Sequence, residues 1–449
     1  MRTTDYNGDG VDVDNLLLNE KGAKIEDLRH IANIRIDEIK FDENSNILIF
    51  PPNWNEYHDD IYKKVIFTLS NDKKLKTNSI MGFIGRNNTQ LTISSRFEKD
   101  EKHDYFLHYM LQRIFKINIM KFDQTTDKEH IWDFLLYLFP YYLKKAFSQG
   151  LYKAYRREEY NDANVKGAIN VKRHIGINIP FCGKIAYTIK EYSYDNPVTQ
   201  LIRHTIEYIK MHPYGSVVLS SDSDIYNIVN QFCFLTQNSY KKNSMLEIIR
   251  ANQKPVSHPY FFEYKILQKI CLQILQHGKL SFGSEKDKIY GLLFDGAWLW
   301  EEYLDTVLKH DFEHPNNRTG SGKRNLFEDF QPIYPDFIRE EQPAIVGDAK
   351  YIPLGEHKNY DDDSERATSI YYKTITYMYR FSSKFGFLLF PDTKNSDIPY
   401  RIKKTDGILR KLGLAIPKDA EDFMTFIEKM NTNEQMLIKK LRFPWEPKV

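Results

Sequence analysis

The sequence predicts a multidomain chain of mixed α+β and α/β architecture, and three observations lead there. Its 449 residues suit about three domains. Short β-type runs bounded by Asn, Asp, Gly or Pro crowd the first 125 residues, whereas the next stretch carries mainly helical apolar spacing. From residue 256 onward, helical segments alternate with compact apolar strands. The expected division is a β-rich N-terminal domain (1–125), a mostly helical middle region (126–255) and a C-terminal domain of strands and helices (256–449).

Residues 47–50, 65–69 and 90–93 read as strands, followed by a helix with Phe106, Met110 and Ile114 at helical spacing. Residues 132–147 form an apolar segment interrupted near Pro140. Runs around 168–171 and 184–187 are β-like, and Asn196-Pro197 opens a helix with Leu201, Ile202, Ile206 and Ile209 on one face. Helices over 261–275 and 299–308 come next, then a loop rich in Asn, Gly and Lys (314–325), a hairpin, a helix over 369–381 and a strand over 385–390. There is no repeat at solenoid periods.

Hydrophobic residues at 41% and charged residues at 28% fit folded globular domains rather than disorder. The 30 Tyr and 29 Phe supply large core side chains. A net charge of +2 means that any affinity for nucleic acid rests on local basic patches. No apolar run approaches the roughly 20 residues that span a bilayer, and the first residues carry no apolar signal core. Cys182, Cys233 and Cys271 lack zinc-ligand spacing and read as buried free thiols of a cytoplasmic protein.

The chemistry concentrates in one hairpin. Tyr334-Pro335-Asp336-Phe337-Ile338 and Ile345-Val346-Gly347-Asp348-Ala349-Lys350-Tyr351 read as two strands joined by a polar turn. Strand side chains alternate faces, so Asp348 and Lys350 point the same way and the hairpin brings Asp336 to them. Two carboxylates suit a hard divalent cation, Mg2+ or alternatively Mn2+, and the lysine can orient water or stabilise charge beside it. That combination serves phosphodiester hydrolysis. Upstream, Leu299-Trp300-Glu301-Glu302-Tyr303-Leu304 is a helix offering a third carboxylate, Glu301 or Glu302. Downstream, Lys373 and Tyr377 lie four apart on one helix face; Lys373 suits either a phosphate contact or a solvated surface.

The order Glu helix, Pro-Asp strand, Asp-x-Lys strand, helix resembles the PD-(D/E)XK nuclease superfamily. Phe294-Asp295 with Leu299-Trp300-Glu301-Glu302-Tyr303, and Asp348-Ala349-Lys350-Tyr351, resemble motifs of the McrC family, the nuclease subunit of McrBC-type restriction systems. Val165-Lys166-Gly167-Ala168-Ile169 and Asp195-Asn196-Pro197 follow that family's order, with the likeness running from about Gly82 onward. The resemblance implies a C-terminal restriction-endonuclease-like α/β/α domain and an Mg2+-dependent endodeoxyribonuclease. It implies Asp336, Asp348 and Glu301 as metal ligands, Glu301 directly or through water, and Lys350 as the catalytic lysine. It places Lys373 and Tyr377 near the phosphate, although Lys373 stands where many relatives have Gln. It also implies a separate McrB-like AAA+ GTPase partner and double-stranded DNA, modified or not, as substrate. The first eighty residues match least; position alone assigns them to partner docking. The alternatives are a stand-alone restriction or repair nuclease and a non-catalytic regulator of an AAA+ GTPase.

Two look-alike motifs fail. Asp5 to Gly10 begins like a calcium loop, but its twelfth position is Leu16 rather than a bidentate Glu; it reads as a flexible acidic terminus. Gly320-Ser321-Gly322-Lys323-Arg324 resembles a P-loop end, but Asn317 and Arg324 replace the required Gly and Ser/Thr, so the chain has no nucleotide site of its own. Lys323 and Arg324 read instead as part of a mobile basic loop facing DNA. Arg156 and Arg157, and the patch of Arg401, Lys403, Lys404, Arg410 and Lys411, are further DNA-contact candidates, the patch being expected within reach of the active site.

Overall fold

The computed structural model describes residues 1–18, 20, 22–41, 45–51, 63–98, 104–115, 127–212, 215–220, 222–280, 289–315, 323–354 and 365–442. They fall into two compact units, one formed by residues 1–125 together with 286–449, the other by residues 126–285.

Among the described residues the first unit contains two five-stranded sheets and two smaller ones. In the N-terminal sheet, β1 (Arg2–Thr4), β2 (Ser45–Phe50), β3 (Ile80–Arg86) and β4 (Thr89–Ser94) are followed in the chain by helix α1 (Tyr105–Phe115). The remaining strand, β5 (Ile289–Asp295), arrives from far downstream, and the spatial order is β1-β4-β3-β5-β2. Leu292 thus lies between Phe83 on one side and Leu48 on the other. Gly82 makes this approach feasible: its φ is +119°, and a β-carbon there would collide with the Leu292 carbonyl. Ile49, Ile80, Ile84, Leu91, Ile93 and Leu293 share one buried cluster with Val13, Leu28 and Ile36. Residues 1–125 therefore do not pack as a body of their own. Their sheet is completed by β5.

Nor is the start of the chain a flexible acidic terminus. β1 pairs parallel with β4, and Asp5 is fully buried, accepting a hydrogen bond from the Arg96 amide at 2.7 Å. Asn7 donates to Thr3 Oγ1 and to the Leu75 carbonyl. Leu75 and Arg96 are 68 and 91 residues away, out of view of local pattern.

At Asp295, β5 turns directly into α2 (Gly296–Leu308). Asp295 caps that helix, accepting from the amides of Ala297 and Trp298 at 2.9 and 3.2 Å. The second sheet follows: β6 (Phe337–Arg339), β7 (Ile345–Ala349), helix α3 (Glu365–Arg380), β8 (Phe385–Asp392), β9 (Asp397–Arg401) and β10 (Ile408–Ala415), then helix α4 (Phe423–Arg442). The order is β6-β7-β8-β10-β9, with β7, β8 and β10 parallel and the outer strands antiparallel to their neighbours. Every residue of β7 is buried, so both faces of the sheet are covered. On one face Val346, Leu388, Phe390 and Leu409 cluster with Ile370, Tyr377 and Met378 of α3. Helices α2 and α4 pack on β7 and β10.

In the second unit, the helix Asp127–Phe147 runs through Pro140 without a break. Proline removes one backbone donor, but Leu135, Leu138, Phe139 and Leu143 are buried around it and hold the helix together. The helix Pro197–Met211 starts with a capping box on Asn196 and Thr199, and the strands Ala154–Asp162, Ile185–Ser193 and Ala168–Ile169 form a small sheet. The helix Glu263–Leu280 packs on Asp127–Phe147 and Pro197–Met211, so it belongs here and not with the C-terminal sheet. Of the three cysteines only Cys271 is buried; Cys233 is half-buried and Cys182 exposed. No described helix is long and apolar enough to cross a membrane.

Candidate active site

The register of β6 against β7 builds the centre of the site. Phe337 pairs with Gly347, so the residue before β6, Asp336, comes level with Asp348. Asp336 is buried and its Oδ2 accepts from the Ala349 amide at 2.8 Å. The chain around it is fixed twice more. His314 Nδ1 lies 2.6 Å from the Asp336 carbonyl and its ring stacks on Phe337, while the Tyr377 hydroxyl donates to the Tyr334 carbonyl at 3.1 Å. The end of β7 is held by the Lys350 amide, which donates to the Leu389 carbonyl at 2.8 Å.

Asp348 is fully buried between two lysines. Lys350 Nζ contacts its Oδ2 and Lys373 Nζ lies 3.2 Å from its Oδ1. The expected common orientation of Asp348 and Lys350 is therefore found. Lys350 Nζ also donates to the Ala349 carbonyl at 3.1 Å.

The two carboxyls titrate in opposite directions. Burial, reinforced by the neighbouring Asp348 charge, pushes Asp336 up to about 7. Burial would also raise Asp348, but Lys350 and Lys373 outweigh it and hold that carboxyl below its ordinary range. Burial tends to lower Lys373, yet Asp348 raises it further and keeps the ammonium charged. Burial raises the Tyr377 phenol to about 12.

Beside this centre lies a cleft of about 580 Å³ lined by Tyr6, Lys64, Ser79, Glu301, Lys350 and Ser369, among others. Glu301 faces it, whereas the Glu302 carboxylate accepts the Trp298 indole N–H at 2.8 Å. Glu301 is thus the carboxylate beside Lys350. It does not join Asp336 and Asp348 directly: among the described residues no group of three or more His, Cys, Asp and Glu side chains is close enough to hold a metal ion.

The two aspartates still fit a hard divalent cation. Asp348 Oδ2 is buried with the mobile Lys350 ammonium against it, and two adjoining carboxyls with the Ala349 carbonyl make an all-oxygen donor set. Mg2+ keeps several waters and is often held by only one or two carboxylates. Glu301 would then act through water.

Tyr377 stays beside Lys373, whose Nζ lies 5.6 Å from its ring centre, and its hydroxyl supports the Tyr334 carbonyl. The basic candidates scatter. The patch 401–411 is not gathered at the site. Arg410 is paired with Asp397 and Lys411 is buried over the Tyr400 ring. Arg401 aligns through Ile408 and Phe385 with Ile345, the end of β7 opposite Ala349, which puts it about 13 Å along the strands and three strands across. Lys403 and Lys404 follow it there, exposed. Residues 316–322 of the expected basic loop lie outside the described residues. Lys323 is exposed, and Arg324 belongs to a two-stranded ladder with 332–333 and pairs with Glu313 at 3.3 Å. Arg156 and Arg157 sit on an exposed strand of the other unit, Arg156 paired with Glu158 and Asp195.

Sequence reasoning missed His314, Tyr6, Lys64 and Ser79. His314 acts through a backbone carbonyl, which leaves no motif, and the other three reach the cleft only because β5 joins the N-terminal sheet to α2.

No curated protein matches this chain. Two solved structures are similar over much of its length. One is a chain of a refined half-complex from a tetradecameric assembly of Thermococcus gammatolerans McrB AAA+ hexamers with bound McrC; it is 13% identical, covers 96% of this chain and 99% of its own, and gives a TM-score of 0.44. The other, from the cryo-EM structure of the Thermococcus gammatolerans McrBC complex, is also 13% identical, covers 69% and 87%, and gives 0.34. The family profile described as McrBC 5-methylcytosine restriction system component matches residues 75–391, a span that holds β5, α2, the β6–β7 hairpin and α3. The chain belongs to the McrBC 5-methylcytosine restriction system component family.

Proposed function

We propose that this chain is the DNA-cleaving, McrC-type subunit of its restriction system, hydrolysing phosphodiester bonds with Mg2+ or Mn2+ and acting with a separate McrB-like AAA+ GTPase. The observation that carries the reading is the meeting of Asp336, Asp348 and Lys350 at one end of a covered sheet, with Glu301 on the adjoining cleft. A buried pair of aspartates held beside lysines is costly to maintain for structure alone and is suited to charge chemistry.

Asp336 and Asp348 would hold the cation, with the Ala349 carbonyl as a further oxygen. When bound, the cation supplies charge stabilisation at the reacting phosphate and a more acidic water. Lys350 can leave Asp348 for the non-bridging phosphate oxygens, where its charge opposes the negative charge that grows in the transition state. Lys373 keeps Asp348 ionised and aimed. Glu301 orients water from the cleft wall. His314 and Tyr377 fix the backbone that carries Asp336.

The partner assignment follows from the family, a component of a multi-part restriction system, and from the incomplete P-loop at residues 317–324. The test is plasmid cleavage in Mg2+ and GTP on methylated and unmethylated DNA, with and without the neighbouring AAA+ protein, with Asp348→Ala as control. Cleavage that needs partner, GTP and Asp348 is expected. Cleavage without the partner points to a stand-alone nuclease. Stimulated GTP hydrolysis with no cleavage under any condition points to a regulator.

A further inference from the structure

Lys64 has no part in the motifs above, yet it lines the same cleft as Lys350 and Glu301. Its backbone is fixed on two sides. The Ile36 amide donates to the Lys64 carbonyl at 3.0 Å, and the next residue, Val65, bridges to Arg35 and accepts from the Asn78 side chain at 2.7 Å. The side chain is 43% exposed and its Nζ lies 3.4 Å from Asp295 Oδ2. Asp295 Oδ1 is already taken by two helix amides, so the pair orients the ammonium toward the cleft without burying it.

Tyr6 completes this wall. It sits at φ +43°, a strained setting for a residue with a side chain, and the Arg96 guanidinium lies 4.5 Å from its ring centre. The cleft therefore carries two separate cations, Lys350 from just past the end of β7 and Lys64 from the N-terminal part. A DNA strand presents one phosphate per about 3.4 Å of helix rise, so a phosphate at Lys350 has neighbours close by.

We infer that Lys64 contacts a backbone phosphate of the DNA strand next to the one that Lys350 addresses, so that the N-terminal sheet supplies part of the substrate groove. This rests on the nuclease reading of the site. Exchange is simple: a phosphate oxygen replaces the Asp295 carboxylate at an ammonium that is half in solvent.

The experiment measures binding of a short labelled DNA duplex by the full chain in Ca2+, alone and with the AAA+ partner, over about 50 to 200 mM salt. Lys64→Ala should weaken binding and reduce the salt slope by about 1, with Lys64→Arg restoring both and the melting temperature unchanged. An unaltered slope in Lys64→Ala overturns the inference, as does a parent chain that binds no duplex in either state. A parallel cleavage assay separates the two readings. Lys64-dependent binding with no cleavage by the parent complex leaves this contact standing and removes the nuclease reading. Asp348-dependent cleavage with binding indifferent to Lys64 does the reverse.

Discussion

Two buried carboxylate sites in the same unit are built on opposite plans. Glu434 of α4 accepts from the hydroxyls of Tyr109 and Tyr303 at 2.6 and 2.7 Å and pairs with Arg113 at 2.9 Å, joining α4 to α1 and α2. One negative charge there meets one cation and two neutral donors. At the hairpin, two carboxyls adjoin each other, two lysines share one of them, and an open cleft lies alongside. In the first arrangement both carboxylate oxygens are paired. The second crowds two carboxyls and two ammoniums around one buried side chain and leaves a route for solvent and substrate. A structural carboxylate is recognised by complete pairing, and a chemical one by what its partners leave unfinished.

The largest effect expected from this contrast is at Asp348. Asp348→Ala should lower cleavage by at least about 100-fold while changing the free energy of unfolding by less than about 1 kcal/mol, because a repulsive pair is relieved as two ion pairs are lost. Plasmid cleavage and urea unfolding on the same preparation check both. At Glu434 the pattern should invert. Glu434→Ala leaves Arg113 and two phenols facing a gap and should cost about 3 kcal/mol, with cleavage per folded molecule unchanged. If Glu434→Ala spares stability and Asp348→Ala does not, the contrast is wrong.

A pH series sharpens it. Asp336 keeps its proton in the folded state at pH values where the unfolded chain has lost it. Its contribution is therefore complete below the ordinary aspartate range and lost as pH rises through about 7. In the absence of divalent cations, stability should fall from pH 5 to 8, and Asp336→Asn should flatten that fall. Asp5, raised to about 6 by burial, adds a slope of the same sign, so the difference between parent and variant is the measured quantity. Addition of Mg2+ at pH 8 should recover the melting temperature of the parent and not of Asp336→Asn. The smallest effect belongs to Lys403→Ala with Lys404→Ala. At the far end of the sheet, the pair should leave duplex affinity within about twofold of the parent.

The hairpin was legible because its geometry is local. Period-two alternation and a short turn suffice to bring Asp336, Asp348 and Lys350 together. Glu301 was half legible: the helix showed two adjacent carboxylates, but only the Trp298 indole, which takes Glu302, separates them. Lying in the same domain as the hairpin does not bring the patch at 401–411 to the site. The parallel direction of β10 and the position of β9 beyond it are long-range facts. Four-residue spacing does place Tyr377 beside Lys373, but it does not show that the hydroxyl donates to the Tyr334 carbonyl. The start of the chain misled most. Its acidic composition suggested solvent, while Asp5 lies buried against Arg96.

The insertion of β5 between β3 and β2 has a consequence for synthesis. When the ribosome has released Arg86, the strand edge that will receive Ile289 does not yet have its partner. Roughly 200 further residues must be translated first, which at 5–20 residues per second takes about 10 to 40 s. During that interval the apolar strands β2 and β3 offer open edges to any other nascent chain, while residues 126–285, a compact unit, can fold ahead of them. The cleft that unites Lys64 with Lys350 is thus assembled late, and a chain stalled before Ile289 holds the DNA-facing lysine without the lysine of the hairpin.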